Sequence, residues 1–349
     1  MSTIYDIVKA KEIGVYYNTM QKDRAPYLGE TLFPLNKKLG LDLKWIKGSK
    51  GMPVALKSSG FDTKAELRDR IGFSDVQTEM PFFKEAIGIN ETIRRDLINA
   101  MNANNQNLVD ALIEQVFENY AVLREGARIA MKRMRTQLIQ NGEINITSAD
   151  GDVVVDYGVP SNHKITISTG KWNTAAADIV GDIAKYQKLM VKEHYAKPNI
   201  MLMTEATFDA TFMINTAIKG AILSGYNTNF PILGQKHYLD YVKEVCGVTI
   251  VFLEDSVYYD EDGGEPIPYY EDKKITFMSG STLGNTVYGV TPEEYDKTYG
   301  SGKLDTSMVD NIAITTMVKE DPVSVDTKVS MIGIPSFERA DEVLFITAY

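Results

Sequence analysis

The sequence predicts an α+β protein, and three observations carry that expectation. Apolar residues step by four and three from Val109 through Ile113, Val116, Tyr120, Leu123, Ala127, Ala130 and Met134 to Leu138, the period of one long helix. Short apolar or alternating stretches at 199–203, 248–253, 312–317, 323–334 and 343–348 read as strands dispersed among helices. Roughly the first ninety residues sustain neither period, and are expected to pack on something other than a core of their own.

Composition sets the outer bounds. Of 349 residues 44% are apolar and 24% charged, which suits a globular chain with a real core and about two domains. The longest mostly apolar run, 247–253, is far short of the roughly 18 residues a membrane helix needs. Met1-Ser2-Thr3-Ile4-Tyr5-Asp6 has neither the basic start nor the apolar stretch of a secretory leader. A single cysteine, Cys246, excludes an intrachain disulfide and a cysteine-type metal site. The expectation is a soluble protein made in a reducing cytoplasm.

The net charge of −10 argues against bulk attraction to nucleic acid. Its distribution is uneven. Residues 1–84 hold 14 Lys and Arg against 10 Asp and Glu, whereas residues 250–300 hold 3 Lys against 11 Asp and Glu. A basic front and an acidic back fit complementary surfaces on adjacent copies; a solvated acidic loop fits equally well.

In chain order, Pro26, Gly29, Pro34 and Gly40 punctuate the front, where apolar residues come in pairs such as Leu32-Phe33 and Trp45-Ile46. Residues 54–70 alternate, break at Gly60 and turn charged, which reads as a polar two-stranded excursion. An isolated hairpin is marginal in water, so this one is expected to lean on a neighbouring subunit. Ile93, Leu97, Ile98 and Met101 share a helical face before a break at 102–105. The long helix follows, and Asn141-Gly142 stops it, glycine suiting a left-handed cap. A hairpin is expected from Glu143-Ile144-Asn145-Ile146-Thr147, a turn at Asp150-Gly151, and Val153-Val154-Val155. Ile179, Ile183, Tyr186 and Met190 predict a second helix ending before Pro198, and strand–helix–strand spacing after it predicts a compact α/β layer. The tail strands must return to sheets begun earlier.

Chemistry is sparse. His163, His194 and His237 lie in different elements without ligand spacing, and no metal or cofactor motif occurs. Gly280-Ser281-Thr282-Leu283-Gly284 lacks the helix a phosphate loop needs. Asp260-Glu261-Asp262-Gly263-Gly264-Glu265 lacks the alternating ligands of a calcium loop. Cys246 reads as a small core residue. Arg124, Arg128, Lys132 and Arg135, spaced four, four and three, form one stripe of the long helix. Either the stripe meets nucleic-acid phosphates or acidic groups of a partner, or it is a solvated face balanced by Glu118 and Glu125. No catalytic residue, cofactor or metal is expected.

Several segments, taken in order, resemble the major capsid proteins of tailed phages of the lambda E type. Residues 39–48 (Leu-Gly-Leu-Asp-Leu-Lys-Trp-Ile-Lys-Gly) are similar to the entry into that family's extended loop, as are 61–65 and 68–72. Residues 79–85 (Glu-Met-Pro-Phe-Phe-Lys-Glu) are similar to its exit. Lys319-Glu320-Asp321-Pro322, Ile334-Pro335 and 341–345 resemble the closing pattern, with Ile332-Gly333-Ile334-Pro335 where the family has Pro-x-Leu-Pro.

The resemblance implies the Hong Kong 97-type capsid fold. Its parts would be an N-terminal arm (1–45), an extended loop (46–88), a peripheral domain (89–170) with a spine helix over about 105–141, and an axial domain (171–305). Returning peripheral strands (306–334) and a C-terminal strand (335–349) would complete it. It further implies hexamers and pentamers in an icosahedral or prolate shell enclosing double-stranded DNA, a portal at one vertex and a decoration protein. Only about 45 residues precede the loop, so a separate scaffolding protein is expected. The implied location is the virion, with assembly in the host cytoplasm. Lys57, Lys64, Glu66, Arg68, Asp69 and Arg70 on the loop are the expected contacts between subunits. The alternative within the same fold is a cargo-holding nanocompartment of the encapsulin type.

Overall fold

The computed structural model describes residues 9–20, 26–38, 42–47, 74–89, 91–103, 105–146, 153–225, 233–260, 264–301, 304–320 and 323–349. Its main feature is the helix Gln106–Asn141, 36 residues long, which at 1.5 Å per residue spans about 54 Å. The Asn105 side chain accepts from the Leu108 amide at its start. Gly142 closes it at φ 72°, donating to the Leu138 carbonyl. A side chain at Gly142 would run into Val159 and Phe345, so both backbone shape and crowding require glycine there.

Two cores flank this strut. In the first, Val109, Tyr120, Leu123, Met131, Met134, Leu138 and Ile139 of the helix pack on a six-stranded sheet. The 14-residue strand Val323–Ser336 organises that sheet. It pairs antiparallel with Ile312–Glu320 on one flank and with Phe82–Ile89 on the other. Its last four residues continue onto Asn285–Tyr288. Asp305–Val309 and Leu35–Lys37 complete the order at the two ends.

The second core surrounds a five-stranded sheet in the order Lys164–Thr166, Leu344–Thr347, Lys274–Met278, Ile200–Met203, Thr249–Phe252. The helices Ile179–Lys192 and Gln235–Cys246 pack against each other beside it. Ile179, Ile183, Tyr186 and Met190 are buried as their spacing predicts. Cys246 is buried in this core. Gln187, also buried, donates to the Pro198 and Cys246 carbonyls and so satisfies two loop ends at once. The C-terminal strand Leu344–Thr347 is inserted between strands 164–166 and 274–278, a return that commits the chain's last residues to the second core.

One hairpin matches its sequence pattern, the expected two-stranded excursion at 54–70 lies outside the described residues, and a further strand pair was not foreseen. Glu143–Ile146 pairs with Val153–Asp156, the turn between lying outside the described residues. Asp42–Lys47 pairs with Ser74–Glu79, so the chain leaves and re-enters at adjacent positions.

The structure departs from expectation in two places. The front builds no core of its own, but its described residues join the first core of the same chain rather than standing off as an arm. Ala10–Met20 is a helix that buries Ala10 and Ile13, with the Ala10 amide donating to Asp305 Oδ2. Tyr27, Leu32 and Phe33 are buried in the same chain, and the Phe33 carbonyl accepts from Thr286 Oγ1 at 2.8 Å. The Leu32-Phe33 pair therefore finds its apolar partner within the subunit. The second departure concerns the expected axial boundary near 305. Asn285–Tyr288 already belongs to the first sheet, so the chain leaves the second sheet after Met278.

Phe33→Ala empties a fully buried site between Phe337 and the front of the sheet. It is expected to lower subunit stability by about 3–5 kcal/mol, read as a shift in the denaturant midpoint of the unassembled chain. An unchanged midpoint would mean that residues 26–38 do not pack on their own subunit.

Candidate functional site

Three features are candidates for function: the basic stripe on the long helix, the loop charges, and the surface grooves. The stripe does not lie open. Arg124 is 1% exposed and ion-paired to Asp310, in the turn between strands 305–309 and 312–320. Arg135 is 3% exposed; it donates to Tyr27 Oη at 2.5 Å and Thr286 Oγ1 at 2.8 Å, with Glu30 at 3.9 Å. Lys132 reaches Glu254 at 3.0 Å and Ser256 at 2.9 Å, and its ammonium sits 4.4 Å from the Tyr269 ring centre. Arg128 pairs with Glu125 at 3.4 Å on its own helix. The expectation of a stripe facing DNA or a scaffold is corrected: at least Arg124, Lys132 and Arg135 are turned inward to other parts of the chain.

Their physical role is bracing. A buried guanidinium is tolerable only when hydrogen-bonded, and Arg135 meets that need by tying the front segment (Tyr27, Glu30) to the sheet (Thr286). Burial pushes the Tyr27 hydroxyl up to about 12 against the opposing pull of Arg135, so it remains neutral. Arg133, not singled out from sequence, pairs with Asp260 at 2.7 Å and lies over Tyr258. With Lys132 it fixes the acidic hairpin Val257–Tyr258/Ile267–Pro268 to the helix. The acidic turn at 260–265 thus begins on an arginine; residues 261–263 lie outside the described residues.

A further brace joins the helix Pro292–Tyr299 to the first sheet. Glu293 is buried, accepts from Ser330 Oγ at 2.8 Å and is ion-paired to Lys328. Burial pushes its carboxyl up, but the Lys328 and Ser330 hydrogen bonds and its own backbone outweigh that, and the net shift is down.

His163 is fully buried, its Nε2 2.7 Å from Glu193 Oε2 and its ring edge-on to Tyr195. His194 is exposed and His237 half-buried, and both lie in other elements. Among the described residues no group of three or more His, Cys, Asp or Glu side chains is placed to hold a metal. Gly284 leads into the strand 285–288, not a helix, and is pressed against the Ser336 backbone. The loop residues Lys57, Lys64, Glu66, Arg68, Asp69 and Arg70 lie outside the described residues.

Two grooves are formed by the described residues. One, of about 880 Å³, runs between the long helix, the start of strand 82–89 and Tyr258–Tyr259, with Gly126 in its wall. Phe82 and Tyr259 line it and are 40% and 57% exposed. The other, of about 530 Å³, lies between the helix 179–192 and the chain from Ile165 to Thr169.

Arg135→Glu is expected to cost the isolated subunit about 3–5 kcal/mol, because it leaves a buried charge without its partners. Arg128→Glu should stay within about 1 kcal/mol. Equal effects in urea unfolding would refute the bracing role. The Glu293 contribution has a defined pH sense. A lowered carboxyl stabilises fully above its ordinary value of about 4.5 and loses that stabilisation as pH falls through the folded value below it. The stability gap between the parent and Glu293→Gln should therefore be constant well above pH 4.5 and narrow progressively as pH falls below it. A gap that widens on acidification would reverse the assignment.

Comparison with known proteins agrees with this architecture. A candidate capsid protein from a prophage of E. coli CFT073 aligns at TM-score 0.60 and 11% identity, over 98% of this chain and 99% of its own. A phage-related protein of Bordetella bronchiseptica RB50 aligns at TM-score 0.51 and 12% identity, over 98% and 97%. At such identities the likeness speaks to the fold, which is α+β and capsid-like. An encapsulin from Synechococcus elongatus PCC 7942 aligns at TM-score 0.40 and 11% identity over 96% and 94%, too low to favour the nanocompartment alternative. No curated protein matches the sequence. The profile of one family, described as phage major capsid protein E, matches residues 10–348. A match over nearly the whole chain, on a fold made of one braced strut and two cores, decides the matter: the chain belongs to the phage major capsid protein E family and is a structural capsid subunit.

Proposed function

We propose that copies of this chain close into hexamers and pentamers, and that these rings tile an icosahedral or prolate shell around double-stranded phage DNA. The observation that carries the reading is the family match over residues 10–348. The role is mechanical and non-catalytic, as membership of a structural family implies. The long helix transmits load between two cores, and its basic residues Arg124, Lys132, Arg133 and Arg135 are spent on internal braces.

In this reading the second core is the axial domain at the ring centre. The first core, with the spine helix Gln106–Asn141, is the peripheral domain, and Asn285–Tyr288 is assigned to it. The arm is shorter than residues 1–45, since 26–38 pack on their own subunit. The extended loop leaves through Asp42–Lys47 and returns through Ser74–Glu79. Lys57, Lys64, Glu66, Arg68, Asp69 and Arg70 on it are proposed to grip a neighbour. Arg128, the stripe residue whose ion pair lies on its own helix, remains the one proposed to face DNA or scaffold.

A separate scaffolding protein, a portal at one vertex and a decoration protein complete the proposed set of partners, with DNA contacted through its phosphates. The mature location is the virion, reached by assembly in the host cytoplasm. No described helix is long and apolar enough to cross a membrane.

Replacing residues 48–73 by a short turn keeps both flanking strands. The variant is expected to be a folded subunit with an unaltered unfolding midpoint that forms no closed shells in sedimentation and electron microscopy. Normal shells from it would refute the gripping loop.

A further inference from the structure

The smaller groove gathers basic side chains that no internal brace uses. Lys185, Lys188 and Lys192 stand at i, i+3 and i+7 of the helix 179–192 and all line it, so three ammonium groups share one face. All three are exposed, and none has a carboxylate partner among the described residues. The groove's own acid, Asp182, accepts from the Trp172 indole at 2.9 Å. The opposite wall offers hydroxyls of Thr166, Ser168 and Thr169 at the edge strand of the five-stranded sheet. Three like charges beside hydroxyl donors make a seat for carboxylates.

The same sheet supplies them at its other edge. Its far strand, Thr249–Phe252, leads directly into Glu254, Asp255 and the acidic hairpin. Glu254 and Asp260 are held by Lys132 and Arg133. Asp255 and Glu265 are exposed and have no cationic partner among the described residues. Val257 and Tyr259 beside them are 48% and 57% exposed, so the projection is both acidic and apolar. Five strands at about 4.8 Å put groove and projection roughly 19 Å apart on opposite edges of one rigid sheet. Neither can reach the other within a subunit.

We infer that the Lys185–Lys188–Lys192 groove receives Asp255 and Glu265, which flank the acidic hairpin, of a second copy of this chain. A groove and its complement on opposite edges give a head-to-tail contact, which closes into a ring when the rotation allows. The proposal rests on the ring-forming reading above and names the contact that closes the ring. The charges set register and speed encounter, and the contact weakens as salt screens them.

The test begins with the unaltered chain. Copies labelled with ¹⁴N and ¹⁵N are mixed, assembled into shells, treated with a zero-length carbodiimide and analysed by peptide mass spectrometry. Mixed-isotope links between Lys185, Lys188 or Lys192 and Asp255 or Glu265 are expected. Rings or shells that form without them overturn the proposal and leave the assembly reading intact; if neither rings nor shells form, the self-assembly reading fails and this one with it. A charge exchange supplies the second arm. Lys185→Glu/Lys188→Glu/Lys192→Glu and Asp255→Lys/Glu265→Lys should each cut assembly about tenfold with unfolding midpoints unchanged, and their combination should recover most of it. Normal assembly of either variant, or no recovery in the combination, overturns the proposal. So does a lysine variant that assembles normally and loses only nucleic acid, which would assign the groove to phosphates.

Discussion

The whole arrangement depends on where the long helix stops. Gly142 holds a left-handed conformation between Val159 of the first hairpin's exit and Phe345 of the C-terminal strand. In the turn before it, the Ile139 carbonyl accepts from Thr276 Oγ1 at 2.6 Å, and the Gln140 side chain accepts from the Glu271 amide at 3.0 Å. Leu138 and Ile139 belong to the first core, whereas Thr276 and Phe345 sit in strands of the second sheet. The last turn is therefore the joint between the cores. A helix one residue longer would drive a side chain into that joint, and one a turn shorter would leave Thr276 and the Glu271 amide without their partners. Both outcomes leave buried polar groups unsatisfied or atoms overlapping.

Once the joint is fixed, the basic side chains along the helix act at defined distances from it. Arg135 lies two turns back and takes up the front segment. Lys132 and Arg133 take up the acidic hairpin, and Arg124 takes up the turn at Asp310. Each cation reaches an element from a different stretch of the sequence, so the helix acts as a spine in the mechanical sense. The arrangement also explains how a chain of net charge −10 keeps a basic second half on its long helix. Asp310, Glu254 and Asp260 reach it from distant segments, and Asp255 and Glu265 are left exposed.

How much of this the sequence disclosed follows the range of the signals involved. The long helix, its Asn-Gly stop, the helix at 179–192 and the tail strands were legible, because period and cap are local and a single missed residue would have broken them. The front was not. Leu28–Leu32 is five residues long, too short for a period, and Ala10–Met20 commits Ala10 and Ile13 to the core with no long apolar stripe. The basic stripe was legible as a stripe and misleading as a surface. Helical spacing shows which side chains share a face, but the groups covering that face, Tyr27, Thr286, Asp310 and Glu254, lie 108 to 186 residues away. Only the fold brings them there. The lysines at 185, 188 and 192 passed unremarked for the converse reason. Such spacing is common on any solvated helix, and what distinguishes these is a groove wall contributed by residues 165–169.

The division between braced and unbraced charge fits what a shell demands of its subunit. A subunit must be rigid, since angular error in one copy is repeated around every ring, and buried hydrogen-bonded cations supply rigidity because their loss is costly. Contacts between copies face the opposite demand. Each must be weak enough to break when a ring closes wrongly, while many together hold the shell, because linked contacts multiply in effect without strengthening individually. Exposed ion pairs, worth at most about 1 kcal/mol each and sensitive to salt, have that character. A chain that buries Arg124 and Arg135 while leaving Lys185, Lys188 and Lys192 on the surface has separated the two demands. Strong electrostatics act inside the copy and reversible electrostatics act between copies, so errors of assembly can be corrected without loosening the subunit itself.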